Sequence, residues 1–177
     1  MKAPFSSKKI ATAAIGAAVS LLAVIGAFYI PNLSVSLNVI AAIGLLIPLS
    51  QKFYREAALA YIAAGGLGAI FTNIHILPFV MVTGLYTLFV VIAYDKKIKW
   101  WITAPIGFVY GCLCFFILYQ LTSLIALDLT KLKMGNLSLA AVYIILNAVF
   151  LIALAAYHFL ILWINAYLNK LIAKIMK

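Results

Sequence analysis

Side chains able to do ionic or nucleophilic chemistry are scarce in this 177-residue chain. It holds three carboxylates (Glu56, Asp95, Asp128), two histidines (His75, His158) and two cysteines (Cys112, Cys114). Hydrolysis within a membrane needs a nucleophile with a base, or paired acids. A carrier coupled to protons or cations keeps an ionisable group inside the membrane. All three carboxylates fall at predicted loops, and the chain lacks H-E-x-x-H, G-x-S-x-G and any phosphate-cradling glycine loop. Cys112 and Cys114 lie two apart in a predicted helix, on different faces, so they cannot chelate one metal together and read as small core residues. Neither enzymatic activity nor a metal of the chain's own is expected.

The remaining chemistry is that of uncharged polar groups. Asn32, Asn38, Asn73, His75, Thr83, Tyr119, Gln120, Ser123, Asn136, Tyr143 and Asn147 all fall in outer loops or outer halves of the predicted spans. Amides and phenols without strong charge suit a small neutral or zwitterionic ligand taken from the exterior. Some of these residues have simpler readings. Asn32, Asn73 and Asn136 close loops, where Asn is a common turn residue, and His75 can be a wetted interfacial side chain. Asn147 and Gln120 lie inside apolar runs, where an amide without a partner costs free energy. They serve either as hydrogen bonds between helices or as ligand contacts. The candidate lining is Asn73, His75, Tyr119, Gln120, Tyr143 and Asn147. With no carboxylate among them and only Lys131 and Lys133 nearby, a strongly cationic ligand has no counter-charge. His158, near the inner interface, reads as a snorkelling side chain.

The elements that must position these groups are membrane helices. The chain is 68% hydrophobic and 9% charged, where soluble domains carry roughly 25% charged residues, so it is read as an integral membrane protein. Apolar runs cover 10–30, 35–50, 57–72, 76–94, 102–127 and 138–168, each bounded by Pro, Asn, Gly or charge. They predict an all-α, polytopic fold of six transmembrane helices forming a single membrane domain over 1–177. The second and third runs hold 16 residues each, about 24 Å against a hydrocarbon core of ~30 Å. A re-entrant hairpin there would bury "QKFYRE", at ~2.5 to 3.5 kcal/mol for each charge, so two short upright spans are the cheaper solution. The last run, 31 residues or about 46 Å, must tilt, bend or protrude. Its end, with Lys170, Lys174 and Lys177 on one face and Leu171, Ile175 and Met176 elsewhere, reads as a short amphipathic segment in the inner headgroup layer.

Charge predicts orientation. Eleven of the 13 basic residues (Lys2, Lys8, Lys9, Lys52, Arg55, Lys96, Lys97, Lys99, Lys170, Lys174, Lys177) fall on one side of a six-span arrangement, and only Lys131 and Lys133 on the other. Basic residues near span ends stay cytoplasmic, so both termini are expected inside. The net charge of +10 then reflects this bias and attraction to anionic lipids, not a nucleic-acid partner. The first apolar run exceeds the length of a signal h-region, so cleavage is not expected.

That first run begins "IATAAIGAAVS", with alanine and glycine where a lipid-facing helix usually carries leucine. Small residues let another backbone approach closely. Ala60, Ala64 and Gly68 in the third run, and Gly107 and Gly111 in the fifth, are expected to serve internal packing. Ala13, Ala14, Ala17 and Ala18 lie in the cytoplasmic half of the first helix, directly after Lys8 and Lys9, and read as a docking surface for a partner.

A polar constellation outside and a smooth docking surface inside is the organisation of a capture subunit served by a separate motor. In this the chain resembles the S components of energy-coupling factor transporters, the small six-span substrate-binding subunits of prokaryotic vitamin importers. The resemblance covers most of the chain. It rests on size, inner termini, the A-x-x-x-A pattern (Ala13 with Ala17, or Ala14 with Ala18) and the short "YIPNLSVSLN" crossing. It implies high-affinity capture of a vitamin-like molecule at a multi-pass site in the plasma membrane. It also implies docking on a transmembrane coupling subunit whose two cytoplasmic ATPases consume ATP, with no cofactor in this chain. Two other classes fit the composition. One is an accessory or immunity-type membrane protein that binds a partner and transports nothing, and the other is a homo-oligomeric channel or exporter.

Overall fold

A computed structural model describes residues 7–121 and 138–175. Helices α1 (Ser7–Tyr29), α2 (Ser34–Ser50), α3 (Tyr54–Thr72), α4 (Leu85–Asp95), α5 (Trp100–Leu121) and α6 (Leu139–Ile175) follow one another, and the described residues contain no strand. Short 3-10 turns at Pro31–Leu33 and Asn73–Ile76 lengthen α2 and α3, and a π-helical stretch at Pro78–Gly84 leads into α4. Among the described residues, six segments are long and apolar enough to cross a membrane: Ser7–Tyr29, Pro31–Ser50, Tyr54–Ile76, Pro78–Asp95, Trp100–Leu121 and Ala140–Leu171. The protein is thus a helical, multi-pass membrane protein.

Two expectations are corrected. The second and third spans are not 16 residues but 20 and 23, because the helical backbone runs on through polar residues that a hydropathy reading leaves out. Glu56 is not in a loop. It sits in the first turn of α3 and is buried, a position where the helix dipole favours a carboxylate. The long last run is a single helix of 37 residues, about 55 Å at ~1.5 Å per residue, and it includes Lys170 and Leu171 without a break. Lys2, Ser123, Asp128, Lys131, Lys133, Asn136, Met176 and Lys177 lie outside the described residues.

The chain forms two compact units, Met1–Lys97 with Leu160–Lys177, and Ile98–Phe159. In the first, the core is unusually rich in alanine: Ala23 and Val24 of α1, Ala41 and Leu45 of α2, Ala60 and Ala64 of α3, with Ile76 and Phe79 closing it. Small side chains bring the backbones together. A Cβ added at Gly44 would lie 2.5 Å from Ser20 Oγ and 2.8 Å from the Gly16 carbonyl oxygen. Ser20 uses the same contact to donate a 2.7 Å hydrogen bond to the Ala41 carbonyl. Between α3 and the entry to α4, the Tyr61 hydroxyl donates to the Val80 carbonyl at 2.9 Å. The wide π turn opens the helical ladder, and Tyr61 satisfies one of its carbonyls.

Helices of this unit alternate in direction. Lys9 of α1 stands over the Phe53 ring at 5.3 Å, and the Tyr54 hydroxyl donates to Asp95 at 3.2 Å. The start of α1, the α2–α3 turn and the end of α4 therefore share one end, with Lys8, Lys9, Lys52, Arg55, Lys96 and Lys97. At the opposite end, Phe28 near the close of α1 packs on His75 with ring centroids 5.2 Å apart.

In the second unit α5 and α6 run antiparallel. Buried Gly111 admits α6 so closely that a Cβ there would meet Leu151 at 2.7 Å and Leu154 at 2.9 Å. Cys114 is buried. Small residues in α3 and α5 thus serve internal packing, and Ala60, Ala64, Gly68, Gly107 and Gly111 are all buried.

Candidate functional site

The polar residues singled out from sequence divide between the two units. In the first, Asn73 takes φ 50°, ψ −130° at the end of α3. A positive φ is uncommon for residues other than glycine, and Asn is among those enriched there. Its side chain is exposed, as is that of His75 two residues on. Asn73 turns the chain, and His75 lies against Phe28. Asn38, buried, donates to the Ser34 carbonyl of its own helix at 2.9 Å. Thr83 is buried within the π-helical stretch, and Asn32 is exposed in the 3-10 turn.

In the second unit the sequence-predicted residues come together. The Tyr119 and Tyr143 rings meet edge to face, with centroids 5.1 Å apart and planes at 87°. Phe115 touches both, at 6.0 and 5.2 Å, and also Phe150 at 5.6 Å. Tyr143 and Phe150 bracket Asn147 on α6, four residues before it and three after, so the three share a face. Asn147 points its Nδ2 at Cys112 Sγ, 4.0 Å away, while its Oδ1 is buried and accepts no hydrogen bond. Phe115, Tyr119, Tyr143, Asn147 and Phe150 are each half-buried, and Gln120 is exposed.

This cluster carries no formal charge, since α5 and the part of α6 up to Phe159 contain no Asp, Glu, Lys or Arg. What it offers is aromatic faces, two phenolic hydroxyls and one amide with an unused acceptor. Such a set can bind and orient, but it contains no nucleophile paired with a base. Among the described residues no group of three His, Cys, Asp or Glu side chains could hold a metal.

The docking alanines of α1 fall on two faces. Ala17 packs against the alanine-rich core and Ala13 is half-buried, whereas Ala14 and Ala18 are exposed. The exposed pair lies on a face with Ile10, Ala11, Ile15 and Leu22, and Gly16 and Ser20 face α2.

Several residues were not anticipated. Phe115 and Phe150 look like ordinary apolar residues in sequence, and only their contacts reveal a link between Tyr119, Tyr143 and the Asn147 face. Asn165, 1% exposed with its Oδ1 unpartnered, carries the same signal as Asn147, an amide inside an apolar run. Gln51, at the end of α2, also has a buried carbonyl oxygen without a donor. Compared with protein-family models, with functionally described proteins and with solved structures, the chain matches none.

Proposed function

We propose that this chain is the substrate-capturing membrane subunit of an ATP-driven importer of the energy-coupling factor type. It takes up a small vitamin-like molecule or micronutrient at a prokaryotic cell membrane and docks on a membrane coupling subunit served by two cytoplasmic ATPases. The observation that carries this reading is the division of labour on α1. Gly16, Ala17 and Ser20 are committed to α2 and the core, yet the small residues Ala14 and Ala18 recur on the opposite, exposed face. Lipid contact requires no small side chains there, whereas close approach of a partner helix does. The basic end of the first unit, which includes Lys8, Lys9 and Lys52, is the cytoplasmic end by the positive-inside rule and associates with anionic lipids. Docking falls to the cytoplasmic half of α1, and in the second unit the phenols of Tyr119 and Tyr143 and the amide of Asn147 receive the ligand.

The test is a pair of substitutions, Ala14→Trp and Ala18→Trp, in the organism's own copy of the protein. Uptake of the ligand identified by mass spectrometry should be abolished, while the purified variants still carry that ligand. Unchanged uptake in both variants would mean that the face contacts only lipid, and the reading would be withdrawn.

A further inference from the structure

The cluster on α5 and α6 has a directional chemistry that narrows the ligand. Three features act together. Four aromatic rings form a connected set with centroid separations of 5.1 to 6.0 Å, and such rings favour stacked or edge contacts with another flat π system. No charged side chain lies on either helix up to Phe159, so neither helix offers a counter-charge to a charged ring. Asn147 has an acceptor without a donor and an NH2 group aimed only at a sulfur 4.0 Å away. A primary amide presents its donor and acceptor side by side. Its complement is a ring N–H beside a ring C=O, which forms two parallel hydrogen bonds with it.

Access to Asn147 is governed by Tyr143. Side chains on a helix lean toward its N-terminus, so Asn147 leans toward Tyr143, one turn nearer the α5–α6 connection. Tyr143 is only half-buried. Entry of a ring to the amide therefore requires the Tyr143 ring to turn aside.

Resting on the capture reading of the same site, we infer that the face formed by Phe115, Tyr119, Tyr143 and Asn147 binds a neutral planar ring with a lactam edge. The rings take its faces and the Asn147 amide takes its edge.

The experiment uses the full chain in lipid nanodiscs with two probes of similar lipophilicity: quinazolin-4(3H)-one, which has the lactam edge, and its 3-methyl derivative, which lacks the N–H. Equilibrium dialysis against empty nanodiscs removes partitioning into lipid. Wild type should bind the first saturably and about tenfold tighter than the second, the scale of one buried hydrogen bond. Asn147→Leu should bind the two equally, and Tyr143→Leu should weaken the first. Absence of saturable binding, or equal binding of both probes by wild type, overturns the inference without reliance on any variant's folding. Mass spectrometry of the protein purified from its own cells separates this inference from the reading beneath it. A co-purified metabolite with a planar lactam ring supports both. A metabolite without a planar ring overturns the lactam inference and leaves capture in place, and phospholipid as the sole bound molecule overturns both.

Discussion

Ser20 and Asn147 are both polar residues in apolar helices, yet they differ in what their polar atoms already do. Ser20 is fully buried and donates to the Ala41 carbonyl across the α1–α2 contact, so Ser20→Ala should destabilise the fold by about 0.5 to 1 kcal/mol. Asn147 has no strong protein partner, so Asn147→Leu should leave stability within a few tenths of a kcal/mol while weakening ligand by about 1 to 3 kcal/mol. Denaturation in mixed micelles, alongside ligand binding, checks both. Loss of stability in Asn147→Leu with ligand binding intact would return this amide to a helix-packing role. Tyr61→Phe belongs with Ser20: it removes the hydrogen bond to the Val80 carbonyl in the π turn and should cost about 0.5 to 1.5 kcal/mol. Asn147 was legible in sequence because an amide inside an apolar run is conspicuous. Asn165 carries the same signal near the other end of its run. The role of Tyr61 was not legible, since nothing local in "ILPFVMVTGLY" distinguishes a π turn from an α-helix.

Helices were legible as entities but less so at their ends. The second and third spans extend through Pro31, Tyr54, Arg55 and Glu56, because backbone hydrogen bonding continues where hydropathy falls away. The alanine pattern of α1 had two registers by sequence. Packing separates them, with Ala17 on the core and Ala14 and Ala18 exposed, because the helix that covers one face is fixed by distant Gly44 and Pro48. Glycines test this packing. At Gly44 an added methyl would meet the backbone of α1 at 2.8 Å, so Gly44→Ala should push α1 away from α2 and cost about 1 to 3 kcal/mol. Gly66 has nothing within 4 Å of an added Cβ, and Gly66→Ala should be neutral or slightly stabilising. Equal melting temperatures for the two variants would contradict the α1–α2 contact described.

For the whole molecule, sequence predicts six spans, and the described residues supply six apolar helices, four of them ordered by the end contacts of the first unit. Which end faces the cytoplasm is a matter of charge alone, so labelling is its check. In a chain freed of Cys112 and Cys114, Asn32→Cys and Ile74→Cys should react with an impermeant maleimide from outside, while Tyr54→Cys and Lys97→Cys should not. Reaction at position 54 would reverse the orientation or break the six-span order. The aromatic link through Phe115 was beyond sequence reading because it needs the register of α5 against α6, which is set by the close approach at Gly111. Sequence placed Asn73 and His75 with the tyrosines in one lining. The structure gives those two residues a turn and a ring contact in the first unit, and it gathers Tyr119, Tyr143 and Asn147 in the second. The central claim is that α1 docks on a motor. Its most direct test is the composition of the complex purified through a tag on this chain from the organism's membranes in mild detergent. Wild type should bring down one membrane coupling protein with two ATPase subunits, and Ala14→Trp with Ala18→Trp should emerge without them. Wild type purified without any ATPase, or a tryptophan variant that keeps the full complex, would contradict the account.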